Sequence, residues 1–292
     1  MTTPPTSPAG ELLWAQPQTA QPAVELRPFI TAYSAFEAAL PPGEEIHAQV
    51  IPPGVPVITL LLSGHIRITD GPAAGQTAPP AAFTGQLTRS GGTACGGHLH
   101  TFMVHFSPAG AHDLLGIDMK PLQNTTVELS AAAGAGTEAY LQAIQKAPDF
   151  VTRCHLTDAF FEDVRQRSGQ APGLGAAAAQ LLMQHAGKLE VENLAQRLGI
   201  SARTLLRRFT HEVGVSPKSF ARLMRFRAAH NYLQAPNATW ADAVLKFGYT
   251  DQSHLIRDYR DFAGETPRQY DPEARVLDRS ATVTKKPEAD AR

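Results

Sequence analysis

The chain repeats itself near its C-terminus with a period of 50 residues. Seven positions that set helix ends and helix packing recur with the same physical type: Ser201, Leu205, Arg207, Phe209, Gly214, Pro217 and Phe220 return as Asp251, Leu255, Arg257, Tyr259, Gly264, Pro267 and Tyr270. Ser and Asp both cap helix N-termini, while Gly and Pro mark helix boundaries. A repeat constrains the architecture more than any other pattern, because each copy must form the same structural unit.

The first copy, residues 189–214, predicts a helix–turn–helix. Leu194 and Leu198 are spaced like the apolar face of a short helix. Gly199 follows them as a left-handed C-terminal cap does, and Ser201 can cap a second helix. The buried stripe of that second helix would consist of residues four apart, Leu205, Phe209 and Val213. A short Gly-containing turn between two helices is the helix–turn–helix signature, and the second helix has the diameter to enter a DNA major groove about 12 Å wide.

The second copy, residues 238–264, follows the same plan with a turn one residue longer. Gly248 ends its first helix and Asp251 caps its second. Between the copies, residues 216–234 predict a helix that begins at a Ser-Pro pair and spans roughly 27 Å. Since one turn of DNA measures about 34 Å, this helix could hold two recognition helices at successive segments of the major groove.

The distribution of charge decides between two interpretations of these copies. A single copy could equally be an ordinary helical hairpin with solvated arginines. However, residues 1–175 carry a formal net charge of −6, whereas residues 176–275 carry +4. A basic domain beside an acidic one is typical of a protein in which one domain meets nucleic acid. Together with the duplication, this asymmetry favours DNA binding.

Five motifs in this region resemble those of a known family. They are L-A-x-x-x-G-x-S-x-R-x-L-x-R-x-F at 194–209, G-V-S-P-x-x-F at 214–220, R-x-x-x-A at 225–229, A…G-Y…S-H-L-x-R-x-Y at 243–259 and G-E-T-P-R-Q-Y at 264–270. Residues 189–270 therefore resemble the DNA-binding domain of the AraC/XylS family of bacterial transcription regulators. The resemblance implies double-stranded DNA as the ligand and RNA polymerase as a partner.

The resemblance also implies which side chains meet DNA. Arg203, Leu206 and Arg207 would face bases from the first recognition helix, and Gln252, Ser253 and Arg257 from the second. Leu206 departs from the family, in which a polar residue often stands, so it would either contact a thymine methyl group or pack. Arg208 and His211 are predicted to contact phosphates. The predicted DNA-binding set is completed by Ser201, Thr204, His254 and Arg260.

The N-terminal half is acidic and has a strand-like pattern. Short apolar runs at 55–62, 66–68 and 101–106 lie between Gly and Pro turns, which predicts a small barrel or sandwich. From about residue 137 the pattern becomes helical. More loosely, residues 24–130 resemble the cupin-like sensory domains that precede this DNA-binding module. That resemblance implies effector sensing, dimerisation, or both.

One histidine cluster raises an alternative function. Gly92, His98 and His100 fit the G-x5-H-x-H opening of a cupin metal site, and His105 stands where the family pattern has Glu. Alternating His residues on a strand share a face, so three imidazoles could bind Zn or Fe. The second metal motif of cupins is missing, and the histidines could be plain polar strand positions. We expect no cofactor; the alternative is a metal-dependent cupin enzyme fused to a DNA-binding module.

These patterns predict an α+β multidomain protein. We expect a disordered N-terminus at 1–22, a cupin-like sensory or dimerisation domain with helices at 23–167, a linker at 168–175, an all-α DNA-binding domain with two helix–turn–helix motifs and a linker helix at 176–275, and a disordered tail at 276–292. The N-terminus lacks the basic and apolar regions of a secretory signal, and no apolar run of about 18 residues could cross a membrane. We therefore expect a cytoplasmic, non-enzymatic transcription activator, controlled by a small-molecule effector or a partner, with homodimerisation left open.

Overall fold

The computed structural model describes residues 13–14, 17–134, 136–169, 171–235, 237–264 and 283–285. The strands are β1 (Leu13–Trp14), β2 (Gln18–Ala20), β3 (Ile30–Ala39), β4 (Glu45–Val50), β5 (Val57–Ile68), β6 (Ala81–Thr84), β7 (Gly91–Phe106), β8 (Thr126–Glu128) and β9 (Val283–Lys285). The helices are α1 (Gly110–Leu115), α2 (Leu129–Ala133), α3 (Thr137–Lys146), α4 (Phe150–Ser168), α5 (Leu174–Gln184), α6 (Val191–Arg197), α7 (Ala202–Val213), α8 (Pro217–Leu233), α9 (Trp240–Phe247) and α10 (Gln252–Ala263). Two short 3-10 helices lie at Val24–Leu26 and Lys120–Leu122. The predicted α+β architecture is confirmed: an antiparallel β domain precedes a helical domain.

The long strand β7 organises the N-terminal sheet. It pairs antiparallel with β3, β4 and β5, and β6 and β8 extend the sheet beyond β5. Phe102, Val104 and Phe106 alternate along β7 and are fully buried, as one face of a strand requires. Phe106 meets Phe161 of α4 edge to face, with ring centroids 5.7 Å apart. Helix α4 therefore covers the inner face of the sheet and closes an aromatic core.

Both segments predicted to be disordered contain a strand, so those two predictions are wrong in part. Within residues 1–22, β1 and β2 pair with β3. Within residues 276–292, β9 pairs with β4. The composition of these segments is too polar to form a core, which is why it indicates disorder. Strand pairing needs only backbone groups, and the edge of a sheet offers unpaired ones. The other residues of 1–16 and 265–292 lie outside the described ranges.

Helices α5 to α10 share one hydrophobic core. The buried side chains include Leu194 of α6, Phe209 of α7, Phe226 of α8 and Tyr259 of α10. Each fully buried Leu or Phe contributes about 2 kcal/mol of hydrophobic free energy. Helices α6 and α7 form one helix–turn–helix pair and α9 and α10 the other, with α8 between them. The core therefore holds the two recognition helices, α7 and α10, in one body.

The two halves of the chain also contact each other. The predicted linker at 168–175 is shorter in the structure, since α4 includes Ser168 and α5 begins at Leu174. The Met119 N–H donates to the carbonyl of His211 on α7 at 2.9 Å. Arg227 of α8 donates to the carbonyl of Pro52 at 2.8 Å. The N-terminal domain therefore touches the first recognition helix and the helix that joins the repeats.

Candidate nucleic-acid interface

Helix α7 begins and ends at the residues that the sequence indicates. The Ser201 side chain accepts a hydrogen bond from the Thr204 N–H at 3.2 Å, which satisfies one free donor of the first turn. Gly214 adopts a left-handed conformation with φ of 92° and ends the helix. The predicted buried stripe of Leu205, Phe209 and Val213 is fully buried. The apolar stripe therefore fixes which side of α7 faces outward.

The predicted base-facing residues of α7 lie on its outer side. Arg203, Leu206 and Arg207 are exposed, and Thr204 is half-buried. Leu206 has 49 % of its surface exposed, so about half of this apolar residue faces outward. The ion pairs that α7 makes with described residues involve Arg208 and His211. The guanidinium groups of Arg203 and Arg207 are therefore available to a ligand.

Arg208 and His211, which are predicted to contact phosphates, form ion pairs within the chain. Arg208 donates from Nε to the Oε1 atom of Glu212 at 2.8 Å. His211 Nδ1 lies 3.0 Å from an Asp118 carboxylate oxygen, and its ring meets that of His112 edge to face at 4.9 Å. Arg208 therefore pairs within its own helix, and His211 takes part in the contact between the domains. The sequence did not indicate the contact of His211, because Asp118 lies about 90 residues away in the other domain.

The second recognition helix, α10, repeats the local design. Asp251 accepts a hydrogen bond from the His254 N–H at 2.7 Å, and Gly264 ends the helix in a left-handed conformation. Leu255 and Tyr259 are buried, as predicted. Four predicted DNA-binding residues are exposed: Gln252, Ser253, Arg257 and Arg260. The fifth, His254, is half-buried with its ring 5.1 Å from that of Tyr249.

The sequence analysis missed Asp258, which anchors α10. This carboxylate is fully buried and accepts hydrogen bonds from Arg222 Nε at 2.7 Å and from the Tyr249 hydroxyl at 3.0 Å. Burial raises the pKa of the Tyr249 hydroxyl above its usual range, and the negative charge of Asp258 raises it further. Arg222 also pairs with Asp261. Since a buried charge needs partners, an Asp three residues after the buried Leu255 was the signal that could have revealed this network.

The three candidate metal ligands are not brought together. His98 pairs with Glu37 across the sheet, with 2.6 Å between Nε2 and a carboxylate oxygen. His100 is half-buried, and burial lowers the pKa of its imidazole. His105 lies five residues further along the same strand, which turns it to the opposite face, and it is buried against the Ser34 hydroxyl at 2.7 Å. No cluster of three metal-binding side chains occurs in the part of the chain that the structure describes.

Comparison with known proteins bears on both halves. Residues 194–272 match the family model described as a helix-turn-helix domain, and these residues contain both capped helix pairs. The match identifies residues 194–272 as an AraC-type helix-turn-helix domain. Residues 18–128 match a domain of unknown function (DUF6597). No curated protein matches the sequence of the chain.

Solved structures similar to this chain are distant in sequence. An apo single-residue variant of ToxT from Vibrio cholerae strain SCE256 shares 10 % identity at a TM-score of 0.46, covering 86 % of this chain and 98 % of that one. ToxT from Vibrio cholerae O395 bound to a methylnaphthalenyl-butenoic acid shares 9 % identity at a TM-score of 0.45, covering 82 % and 97 %. The AraC-like transcriptional activator CuxR shares 16 % identity at a TM-score of 0.28, covering 77 % and 89 %.

These observations establish the general activity of the chain. With its AraC-type helix-turn-helix domain, the chain is a DNA-binding transcription regulator. Regulators with this domain are typically not enzymes. No helix within the described ranges is long and apolar enough to span a bilayer.

Proposed function

We propose that this regulator is a sequence-specific activator that reads an asymmetric DNA site with two unlike recognition helices. The observation that carries the proposal is the set of exposed arginines on two capped helices of one core. Arg203 and Arg207 lie one turn apart on α7, and Arg257 lies on α10. In a helix–turn–helix, the N-terminal part of the second helix is the part that reaches base edges.

The two helices present different chemistry, so the two half-sites should differ. Arginine forms two hydrogen bonds with guanine, glutamine pairs in the same way with adenine, and an apolar side chain can contact the thymine methyl group. Helix α7 offers Arg203, Leu206 and Arg207, whereas α10 offers Gln252, Ser253 and Arg257. One chain would therefore read two unlike elements rather than a palindrome. Ser201, Thr204, His254 and Arg260 would support the contacts to the backbone and the adjacent bases.

The N-terminal domain would control DNA binding. We propose that a small-molecule effector or a partner protein binds it and shifts the population of DNA-competent molecules. Its contacts with α7 and α8 offer a physical route for this control. Homodimerisation through this domain and contact with RNA polymerase, which the family resemblance implies, belong to the same proposal.

The test begins with mapping the genomic DNA that the full chain occupies. Occupancy at a few promoters, with transcription rising when the protein is expressed, is the expected result. Diffuse coverage that disappears at moderate salt would indicate non-specific binding, and falling transcription would indicate a repressor.

Arg207→Ala then tests base recognition on a mapped promoter fragment. The variant should lose about 1–3 kcal/mol of binding free energy on the native fragment and little on a scrambled one. Arg257→Ala should do the same at the other half-site. Arg167→Ala is the control, since Arg167 is exposed on α4 and pairs with Asp163. Equal losses on both fragments would show that Arg207 contacts phosphate.

A further inference from the structure

Two buried carboxylates hold the connection between the domains where it passes the first recognition helix. Asp113 lies on α1 of the N-terminal domain, and Glu212 lies on α7; each has 3 % of its surface exposed. The Gly173 N–H donates to Asp113 Oδ2 at 3.3 Å. The Gly175 N–H donates to Glu212 Oε2. Asp113 of the N-terminal domain therefore binds the end of the segment that joins α4 to α5, and Glu212 of α7 binds the first turn of α5.

The two glycines explain how the carboxylates come so close. A Cβ atom at position 173 would stand 2.9 Å from Glu212 Oε2 and 3.2 Å from Asp113 Oδ1. A Cβ atom at position 175 would stand 2.7 Å from Glu212 Oε2. These distances are shorter than ordinary contacts, so glycine is needed for close approach of the backbone. Both carboxylates thus converge on Gly173.

We infer that Asp113 and Glu212 act as a latch, which clamps the interdomain connection and positions the first recognition helix against the N-terminal domain. The inference deepens the proposed function, because it names the residues through which the N-terminal domain reaches α7. Asp113 and Glu212 are positioning residues in this role. Neither needs to touch DNA.

The half-exposed ion pair and the cavity beside the latch favour its opening. Arg208 is the one cation that pairs with Glu212 among the described residues, and its side chain is half-exposed. A buried ion pair contributes little net stability, because the cost of desolvation offsets the attraction. An open cavity of about 310 Å³ lies beside them, lined by His112, Arg207, Arg208, His211 and Glu212. Since Arg207 borders this cavity, opening of the latch would change the surroundings of a predicted base contact.

The second recognition helix lies outside the latch. Asp258 of α10 binds Arg222 of α8 and Tyr249, all within the helical domain. The latch should therefore affect binding to the half-site read by α7 and leave binding to the half-site read by α10 unchanged.

Hydrogen exchange of the full chain without DNA tests the latch directly. Glu212→Gln removes the charge that pairs with Arg208, and Asp113→Ala removes the acceptor of the Gly173 N–H. Each should accelerate amide exchange in residues 171–175 and around Met119 at least tenfold, with no change in α10. The double variant should exchange no faster than the faster single variant, because either change alone opens the latch. Asp163→Asn, a change to an exposed carboxylate on α4, should have no effect.

Three outcomes would overturn the latch. The first is unchanged exchange in either single variant. The second is additive acceleration in the double variant, which would make the two residues independent. The third is acceleration throughout α5 to α10, which would make Glu212 a residue of the helical core only. Should Glu212→Gln fail to fold, Gly173→Ala crowds both carboxylates without removing either, and it must accelerate exchange in the same segments.

Footprinting on a mapped promoter separates the latch from the proposed function. The latch variants should change protection of one half-site and preserve the other. If the wild-type chain protects no DNA, the proposed function fails while the exchange result still decides the latch. If the wild type protects both half-sites and the latch variants alter both equally, the link from the latch to α7 is wrong.

Discussion

The recognition helices α7 and α10 share their local design but depend on different neighbours. Both begin at a capping side chain, both bury a stripe of Leu and an aromatic residue, and both end at a left-handed glycine. Helix α7 contacts the N-terminal domain through His211, whose ring pairs with Asp118 and whose carbonyl accepts from the Met119 N–H. Helix α10 is tied to α8 through Asp258. The two copies of the repeat therefore share their caps and buried stripes, but their polar side chains contact different parts of the protein.

The difference is concentrated at equivalent positions of the repeat. Position 208 is an exposed arginine that pairs along its own helix, while position 258, one period later, is a buried aspartate. The Arg208 side chain is half-exposed, so solvent screens its pair with Glu212, whereas the fully buried charge of Asp258 is costly to leave unpaired. The second helix–turn–helix should therefore behave as a rigid unit with α8, and the first as one that responds to the N-terminal domain.

The largest effect is expected at Asp258. Asp258→Ala leaves Arg222 and the Tyr249 hydroxyl without their buried acceptor, so it should lower the free energy of unfolding by about 3 kcal/mol. Asp261→Ala removes an exposed partner of the same arginine and should cost below about 1 kcal/mol. Urea denaturation followed by circular dichroism measures both. Equal losses would remove the proposed difference in rigidity between the helices.

The two C-terminal glycines should differ by a smaller amount. Gly214→Ala and Gly264→Ala each place a side chain in a left-handed conformation, which costs about 1 kcal/mol. At position 214 the new Cβ would also stand 2.8 Å from the Met119 carbonyl oxygen, a backbone atom, whereas at 264 it would meet the movable Ser90 hydroxyl. We therefore expect a loss of about 2 kcal/mol at 214. Urea midpoints in the reverse order would show that α7 is not pressed against the N-terminal domain.

The N-caps should respond alike. Ser201→Ala and Asp251→Ala each remove an acceptor for a first-turn N–H and should each cost about 1 kcal/mol. Thermal melting compares the two variants with Ser201→Asp, which should restore capping at the first helix. A loss confined to one helix would mean that the repeat is not equivalent even in its local design.

The smallest effect is a pH dependence at the contact between the domains. Burial raises the pKa of Asp113 to about 6, the Gly173 N–H opposes the rise, and His112, Glu212 and Arg208 act more weakly. Because the folded protein holds this proton more tightly than the unfolded chain, the stabilisation is complete below about pH 4 and is lost as the pH rises through 6.

The melting temperature should therefore fall between pH 5 and pH 7, by about 2 °C from this group. Asp113→Asn should remove that part of the fall, since an amide does not titrate. Asp163→Asn should preserve it. An unaltered pH profile in Asp113→Asn would show that Asp113 does not report on the contact between the domains.

Local patterns allowed much of the helical domain to be predicted. The caps at Ser201 and Asp251, the glycine ends and the buried stripes follow from interactions within a few residues, and the structure confirms them. The faces of β7 were only partly predictable. His98 and His100 share a face through simple alternation, but His105 falls on the other face because five residues separate it from His100.

The partners of polar side chains could not be predicted in the same way. His211 meets Asp118, Glu212 meets Gly175, and Arg222 meets Asp258, all across elements far apart in the sequence. Nothing in the spacing of these residues specifies which surfaces pack together.

The sequence by itself determined the repeated unit, its caps and its outward-facing arginines, because helix periodicity and capping act over three or four residues. Only the tertiary structure decided how the two units differ. It placed His211 beside Asp118 of the N-terminal domain and buried Asp258 against α8, and β2 of the polar N-terminal segment pairs with β3. The physical reason is that a buried charge or an unpaired strand edge forms its hydrogen bonds with groups from distant elements, and the packing of those elements decides which groups are close enough.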